Sequence, residues 1–356
     1  SGGPYLYALE TYGPLTGFTV GWLVWLARVT SFSANCTLLP NYLDLLIPGA
    51  AAGVPRMCIL TITVTGLAIL NIRGVRLVAN ASNVLALGKL LPLAVFVAAG
   101  MFFLEPARFT AAASPGYHAF SQAVMLLVYA FTGFEMAVIP AGEVRNPQHN
   151  LPAALLTGMA AVVTFYVLIQ VVCIGTLPGL ATSQRPLGDA IERFLGKGGA
   201  VMITAGILVS LAGNLNVLIL AGSRVMYAMA EHGALPATLA DIDPRYRTPV
   251  VSVLATTAVM LALTLSGTFI YLVTVSTVVR LATYLITCGA LPILRRRATA
   301  PPAAFRMPGG AVVSVLAMAV SVWLLSNVSL HEARDSGIAV AAGLAIFGLH
   351  LWRKRK

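Results

Sequence analysis

The sequence predicts an all-α membrane protein, and three observations support this fold class. Apolar residues make up 58% of the chain and charged residues only 10%, whereas a soluble domain usually carries about 25% charged residues. The apolar residues fall into long runs, most of them near the ~20 residues that a helix needs to cross a bilayer. Pro, Gly or charged residues separate these runs. Because backbone groups in lipid need internal hydrogen-bond partners, each run is expected to be a helix.

Ten spans are predicted, after a polar, Gly- and Pro-rich segment at residues 1–16. In chain order the spans cover residues 17–39, 57–72, 82–104, 120–141, 153–177, 200–229, 250–265, 269–294, 311–326 and 337–351. Lys and Arg between the spans predict the orientation. With the first span starting in the cytoplasm, thirteen of them lie in cytoplasmic segments and six on the opposite side. This predicts a multi-pass protein of the cell membrane with a cytoplasmic C-terminus.

The distribution of Lys and Arg between the spans also explains the net charge of +11. Basic loops beside anionic lipid headgroups account for it, so a nucleic-acid partner is not expected. The sequence also has no Gly-rich phosphate loop, no nucleophile motif and no His pair with metal spacing. The four cysteines all lie within apolar runs, without metal or redox spacing. An enzyme, a cofactor and a metal site are therefore not expected.

One span carries polar groups at its centre. The run 120–141 contains Thr132, Gly133 and Glu135, and Glu135 is the one acidic residue of the chain deep inside an apolar run. A carboxylate at this depth costs a few kcal/mol or more. We therefore expect a compensating partner and a functional role for this segment.

Several motifs resemble the amino acid–polyamine–organocation (APC) transporters. The resemblance rests on GGPYLY at 2–7, FTGFE at 131–135, EVRNP at 143–147, SR at 223–224, YAMA at 227–230, and LP and TP at 235–236 and 248–249. It implies a LeuT-like fold of two inverted five-helix repeats plus two C-terminal helices. The ten spans would be family helices 3–12, with helix 1 and most of helix 2 absent.

The implied division of the chain has four parts. Residues 1–16 would be the end of helix 2 and a loop, 17–104 the rest of the first repeat, and 118–297 the second repeat with a broken helix 6. Residues 308–356 would form helices 11 and 12 and a basic cytoplasmic tail. In such folds the substrate binds where broken helices meet at mid-membrane.

The resemblance assigns substrate contacts to the predicted break. Backbone carbonyls around Tyr129, Phe131 and Thr132 would bind the substrate amino group, with Gly133 permitting the distortion. Tyr129 would close over the substrate. The residues alone also fit ordinary packing aromatics and a glycine at a helix contact.

Two residues are candidates for proton coupling. Glu135 matches a helix 6 carboxylate used in proton sensing by related antiporters, and burial alone would favour its neutral form. Lys89 matches a helix 5 lysine whose amine replaces a sodium ion in some members, and a desolvated lysine can load and unload a proton. The alternatives are a neutral, hydrogen-bonded Glu135 and a Lys89 that caps carbonyls.

Other polar residues lie within the spans. Arg28 is expected to meet an acidic substrate, a carboxylate such as Glu135, or carbonyls at a helix break. Arg280 is expected to have a structural partner. Asn214 and Asn216 are expected to join helices, with the permeation path as the alternative.

The implied function is secondary transport of amino acids or related amines by alternating access, as proton-coupled symport or exchange. The expected partners are an amino acid, protons and the bilayer. Three alternatives stay open: a sodium-coupled symporter of the same fold, a membrane protein that binds amino acids without transport, and a membrane-embedded enzyme.

Overall fold

The computed structural model describes residues 4–73, 90–110, 116–136, 146–296 and 309–354. Within these ranges the protein is helical and contains no strand. The α-helices of the described ranges are α1 (Pro4–Tyr12), α2 (Pro14–Leu43), α3 (Gly53–Arg73), α4 (Leu90–Phe103), α5 (Tyr117–Ala130), α6 (Pro147–Thr176), α7 (Pro186–Glu231), α8 (Val250–Ser266), α9 (Phe269–Arg296), α10 (Gly310–Ser326) and α11 (Leu330–Lys354).

The all-α membrane fold class is confirmed, because every predicted span overlaps a helix over the residues described. Among the described residues, four helices are long and apolar enough on their own to cross a bilayer, namely α3, α6, α7 and α9. A fifth crossing results if α10 and α11, which meet at an angle of 114°, are one bent span. The division into inverted repeats stays a prediction.

Helix α2 lies at the centre of the protein. It contacts α1, α3, α7, α8, α9 and α11, and 21 of its 30 residues are buried. Small residues permit this close packing: Gly21 lies against Met229 of α7 and Tyr5 of α1. The main hydrophobic core forms around α2, with fully buried Phe32 and Leu215 among its members.

Helix α6 lies at the periphery. In its most apolar window 6% of the residues are buried, against 56% in α9. Near its C-terminal end, Val172 and Cys173 join a second core with Phe96 of α4 and Ile203 of α7. Apolar side chains such as Leu156 and Val163 are exposed, as expected for a helix in lipid, while others such as Leu155 line a cavity beside the segment after α5.

Several helix boundaries differ from the predicted spans; α11, for example, starts at Leu330 rather than at 337. The N-terminal polar segment contains the helix α1, which Gly13 with φ 92° separates from α2. Helix α7 starts at Pro186 rather than near 200, and is kinked at Gly196, where φ is 64°. Glycine tolerates this conformation, so the helix continues on both sides of the glycine-rich stretch 196–199, which lies between two of the predicted spans.

Candidate functional site

The candidate site lies at the C-terminal end of α5. The last regular turn closes when the Phe131 amide donates to the Leu127 carbonyl at 3.2 Å, and Thr132 N then donates to Tyr129 O at 3.1 Å. Gly133 follows with φ 111°, and a short 3₁₀ turn runs from Phe134 to Met136. The run 120–141 is therefore interrupted at its centre, while its end from 137 lies outside the described residues.

The interruption leaves carbonyl groups without helical partners, and local donors take two of them. The Tyr129 carbonyl accepts from the Thr132 hydroxyl at 2.8 Å. The Ala130 carbonyl accepts from the hydroxyl of Tyr166 on α6 at 3.2 Å. Such carbonyl groups at a helix C-terminus carry partial negative charge and suit a cationic group.

Glu135 turns back from the break toward the packed helices. One carboxylate oxygen accepts from the Gly133 amide at 2.8 Å. The other forms ion pairs with two arginines: Arg28 of α2 at 3.4 Å, and Arg280 of α9, which also donates a hydrogen bond to it. Both arginines are almost completely buried, with 3% and 4% of their surface exposed. The carboxylate thus connects the broken helix to α2 and α9.

Two serines extend this cluster. The Arg280 guanidinium donates to the Ser31 hydroxyl at 2.9 Å, and Ser31 and Ser276 are joined through their hydroxyls at 2.8 Å. The Ser276 hydroxyl also reaches the Ala27 carbonyl at 3.3 Å. These hydrogen bonds hold the Arg280 guanidinium between Glu135 and the two serines. They also supply the partners that buried polar groups need in a low-dielectric region.

A cavity of about 60 Å³ borders the ion pairs. Its wall is formed by α1, α2, the segment after α5, α7 and α9, and includes Tyr5, Val24, Arg28, Glu135, Arg280 and Tyr284. The wall is mainly apolar, apart from the charged groups of Arg28, Glu135 and Arg280. Water has room here, and so does a small polar group.

The remaining predicted contacts lie on other sides of the break. Phe131 and Thr132 border a more open cavity of about 280 Å³ between the break and α6, and the Phe131 ring lies 5.2 Å from that of Tyr166. The Tyr129 hydroxyl donates to the Asn35 side chain of α2 at 3.0 Å. The structure therefore brings Arg28 and Glu135 together and separates them from Phe131 and Thr132. Lys89 lies outside the described residues.

Arg280 is the site residue that sequence reasoning underrated. Only a structural partner was expected, whereas Arg280 contacts the same carboxylate as Arg28. Its position within an apolar run was the available signal, but its partner lies 145 residues earlier in the chain. Asn216 accepts a hydrogen bond at 2.8 Å from Asn71 of α3, in line with the expected role of joining helices.

Comparison with known proteins identifies the family. A family model described as amino acid permease matches residues 1–347. The chain belongs to the amino acid permease family. Its members are membrane transporters, so this permease is a multi-pass membrane protein and not an enzyme.

Curated relatives of the permease are transporters with varied substrates. The serine/threonine exchanger SteT of Bacillus subtilis (strain 168) is 27% identical over all of this chain and 82% of its own length. The methylthioribose transporter of the same organism is 26% identical over 98% of this chain and 79% of its own. The arginine/agmatine antiporter of Chlamydia pneumoniae is 24% identical over 97% of this chain and 76% of its own length.

Proposed function

We propose that this permease carries amino acids or related amines across the cell membrane by alternating access, with proton coupling or exchange. The observation that carries the proposal is the break after α5, whose carboxylate Glu135 is held by arginines of α2 and α9. An interrupted helix is where transporters of this architecture bind substrate. The varied cargo of the relatives supports a small amine or amino acid without selecting one.

The break offers groups for the amino end of a substrate, and a buried positive charge lies beside it. Carbonyl groups near Tyr129, Phe131 and Thr132 lie at the C-terminal, negative end of the helix dipole. This end suits the ammonium group of a substrate. Gly133 permits the local geometry, because its φ of 111° is open to glycine at little cost. Arg28, which is paired with Glu135, supplies this buried positive charge.

Proton coupling is assigned to Lys89 and Glu135. Glu135 forms two ion pairs, so any change in its charge alters how firmly the break is held to α2 and α9. Burial alone would predict a neutral carboxyl group, but the two guanidinium groups stabilise a carboxylate. Proton transfer at Glu135 would therefore accompany separation from at least one arginine.

Counterflow in proteoliposomes tests the proposal. Vesicles containing purified permease are loaded with one unlabelled amino acid and supplied with the same labelled amino acid outside, for a panel of amino acids and amines. We expect accumulation for at least one member of the panel and none in protein-free vesicles. Binding without accumulation would point to a sensing role, and a chemically altered compound in the vesicles would point to an enzyme.

The coupling ion is tested in the same vesicles. An inward proton gradient should drive uptake, whereas a sodium gradient at constant pH should not. Lys89→Gln should abolish the proton-driven component, while Lys197→Gln, a change at an exposed lysine of α7, should leave it unchanged. Sodium-driven uptake would contradict the assignment of Lys89 and favour a sodium symporter.

The orientation has its own test. Thirteen Lys and Arg residues on one side against six on the other predict a cytoplasmic C-terminus and a location in the cell membrane. A C-terminal fusion to a reporter that is active only in the cytoplasm should be active. Activity of a reporter that requires the opposite side would contradict this orientation.

A further inference from the structure

The charges around Glu135 do not balance. Two guanidinium groups, of Arg28 and Arg280, point at one carboxylate, and both arginine side chains are almost fully buried. Within the described part of the chain, Glu135 is the acidic residue that forms an ion pair with either arginine. The cluster therefore holds one excess positive charge. An uncompensated buried charge is costly, so such a cluster attracts an anion.

The two arginines are satisfied to different degrees. Arg280 donates to Glu135 and to the hydroxyls of Ser31 and Ser276. Arg28 has a single long bond of 3.4 Å to Glu135, and its buried Nε has no hydrogen-bond partner. Arg28 also borders the 60 Å³ cavity. Arg280 borders the same cavity, so the unused hydrogen-bonding capacity of the pair lies on Arg28 rather than on Arg280.

We propose that Arg28 and Arg280 form a binding site for a side-chain carboxylate of the substrate, so that the permease accepts acidic amino acids. This inference rests on the proposed function and names the substrate class for the same site. A guanidinium binds a carboxylate through two parallel hydrogen bonds, which an ammonium or amide does not reproduce. Glu135 occupies part of this site in the present structure and competes with the substrate carboxylate.

The cavity supports a carboxylate better than a larger group. Its volume of about 60 Å³ holds a small polar group but not a long side chain. Val24 and Val225 also line the cavity and provide apolar surface that suits the methylene groups of a short acidic side chain. A cationic side chain at this place would face two arginines and would be repelled.

Binding measurements on matched ligands test the proposal independently of turnover. L-Glutamate and L-glutamine have nearly the same shape and differ in one charge. Purified permease in detergent is titrated with each, and the rise in melting temperature reports binding, because a ligand that binds the folded state stabilises it. For the wild type we expect glutamate to bind about tenfold more tightly than glutamine or better, which corresponds to ~1.4 kcal/mol.

Glu135→Gln gives the sharper result. It removes the competing carboxylate, so glutamate affinity should rise at least about tenfold while glutamine affinity changes little. The variant should melt below the wild type without ligand and recover with glutamate. Glu231→Gln, at an exposed residue of α7, should reproduce the wild-type values.

Arg28→Lys tests the geometry of the site, because it keeps the charge and removes the paired hydrogen bonds. Glutamate affinity should fall about tenfold, measured as the rise in melting temperature above the ligand-free value of the same variant. Chloride-containing and chloride-free buffers are compared throughout. If chloride stabilises the protein and glutamate does not, the site holds an inorganic anion and the proposal is wrong.

The outcomes separate the two proposals. If neutral amino acids show counterflow while glutamate neither binds nor competes, the substrate class is wrong and the transport function stands. If glutamate binds Glu135→Gln no better than the wild type does, the arginines are structural and the proposal is overturned. If no amino acid binds or accumulates, the proposed function fails, and this inference fails with it.

Discussion

Helices α2 and α6 are both 30 residues long and differ in almost every respect. In α2, 21 of the 30 residues are buried, and the helix contacts six other helices. In the most apolar segment of α6, only 6% of the residues are buried. Accordingly α2 contains glycines, serines and threonines that fit against neighbours, while α6 carries valines and leucines directed outward. Apolar content therefore does not measure burial in this protein.

The difference defines two regions: a packed region of α2, α7, α8 and α9, and a sparsely packed region of the break and α6. The break is tied to the packed region through the ion pairs of Glu135 and the ring contact of Phe134 with Tyr284 of α9, and to α6 through Tyr166. A segment held by a few polar contacts rather than by a dense core can change position at low cost. We therefore expect the cluster around Glu135 to limit any displacement of the break.

The largest effect is expected on breaking that connection. Glu135→Ala leaves two buried guanidinium groups without a carboxylate, which should lower the free energy of unfolding by about 3–5 kcal/mol. Denaturant titration in detergent measures the change. Asp241→Ala, at an exposed loop residue, serves as the control and should shift stability by less than ~0.5 kcal/mol.

A matched pair of leucines tests the contrast between the regions. Leu215 of α7 is fully buried, while Leu156 of α6 is 63% exposed. Leu215→Ala should lower the free energy of unfolding by about 2–5 kcal/mol, and Leu156→Ala by less than ~0.5 kcal/mol. Equal losses in the same titration would show that the N-terminal part of α6 is packed as densely as α7.

Substitutions at two glycines distinguish the effect of backbone conformation on stability from the effect of steric crowding. A methyl group added at Gly133 or at Gly158 of α6 meets no atom within 4 Å. Because φ at Gly133 is 111°, Gly133→Ala should destabilise by about 1–3 kcal/mol. Gly158→Ala should instead stabilise by up to ~1 kcal/mol, since alanine is the better helix former. A stable Gly133→Ala variant would argue against the break.

The smallest effects are expected at the tyrosine hydroxyls. Tyr129→Phe removes the bond to Asn35 on the packed side, and Tyr166→Phe removes the bond to Ala130 O on the α6 side. Each should lower the free energy of unfolding by about 0.5–1.5 kcal/mol. If α6 moves together with the break during transport, Tyr166→Phe should also change the transport rate more than Tyr129→Phe does. Initial rates of counterflow measure this difference.

Local patterns in the sequence predicted the helices and the position of the break. A span needs only an apolar run, and the interruption at Thr132, Gly133 and Glu135 is readable within seven residues. The kink at Gly196 was missed because glycine next to Lys197 reads as a loop, although helical turns continue on both sides.

The partners of the charged residues were less predictable. Arg28 and Glu135 were expected to meet as one of several options, but Arg280 was not placed with them. Its contact depends on how α9 packs against α2, which Ser31 and Ser276 help to fix. Pairing between residues 145 positions apart is a tertiary property that no local pattern contains.

A double-mutant cycle between Glu135 and Arg280 tests the central claim, that one carboxylate ties the broken helix to the packed region. Glu135→Gln, Arg280→Gln and the double variant are unfolded under the same conditions as the wild type. We predict a coupling energy above about 1 kcal/mol, with the double variant less destabilised than the sum of the single variants. Additive losses, with a coupling energy near zero, would contradict the claim.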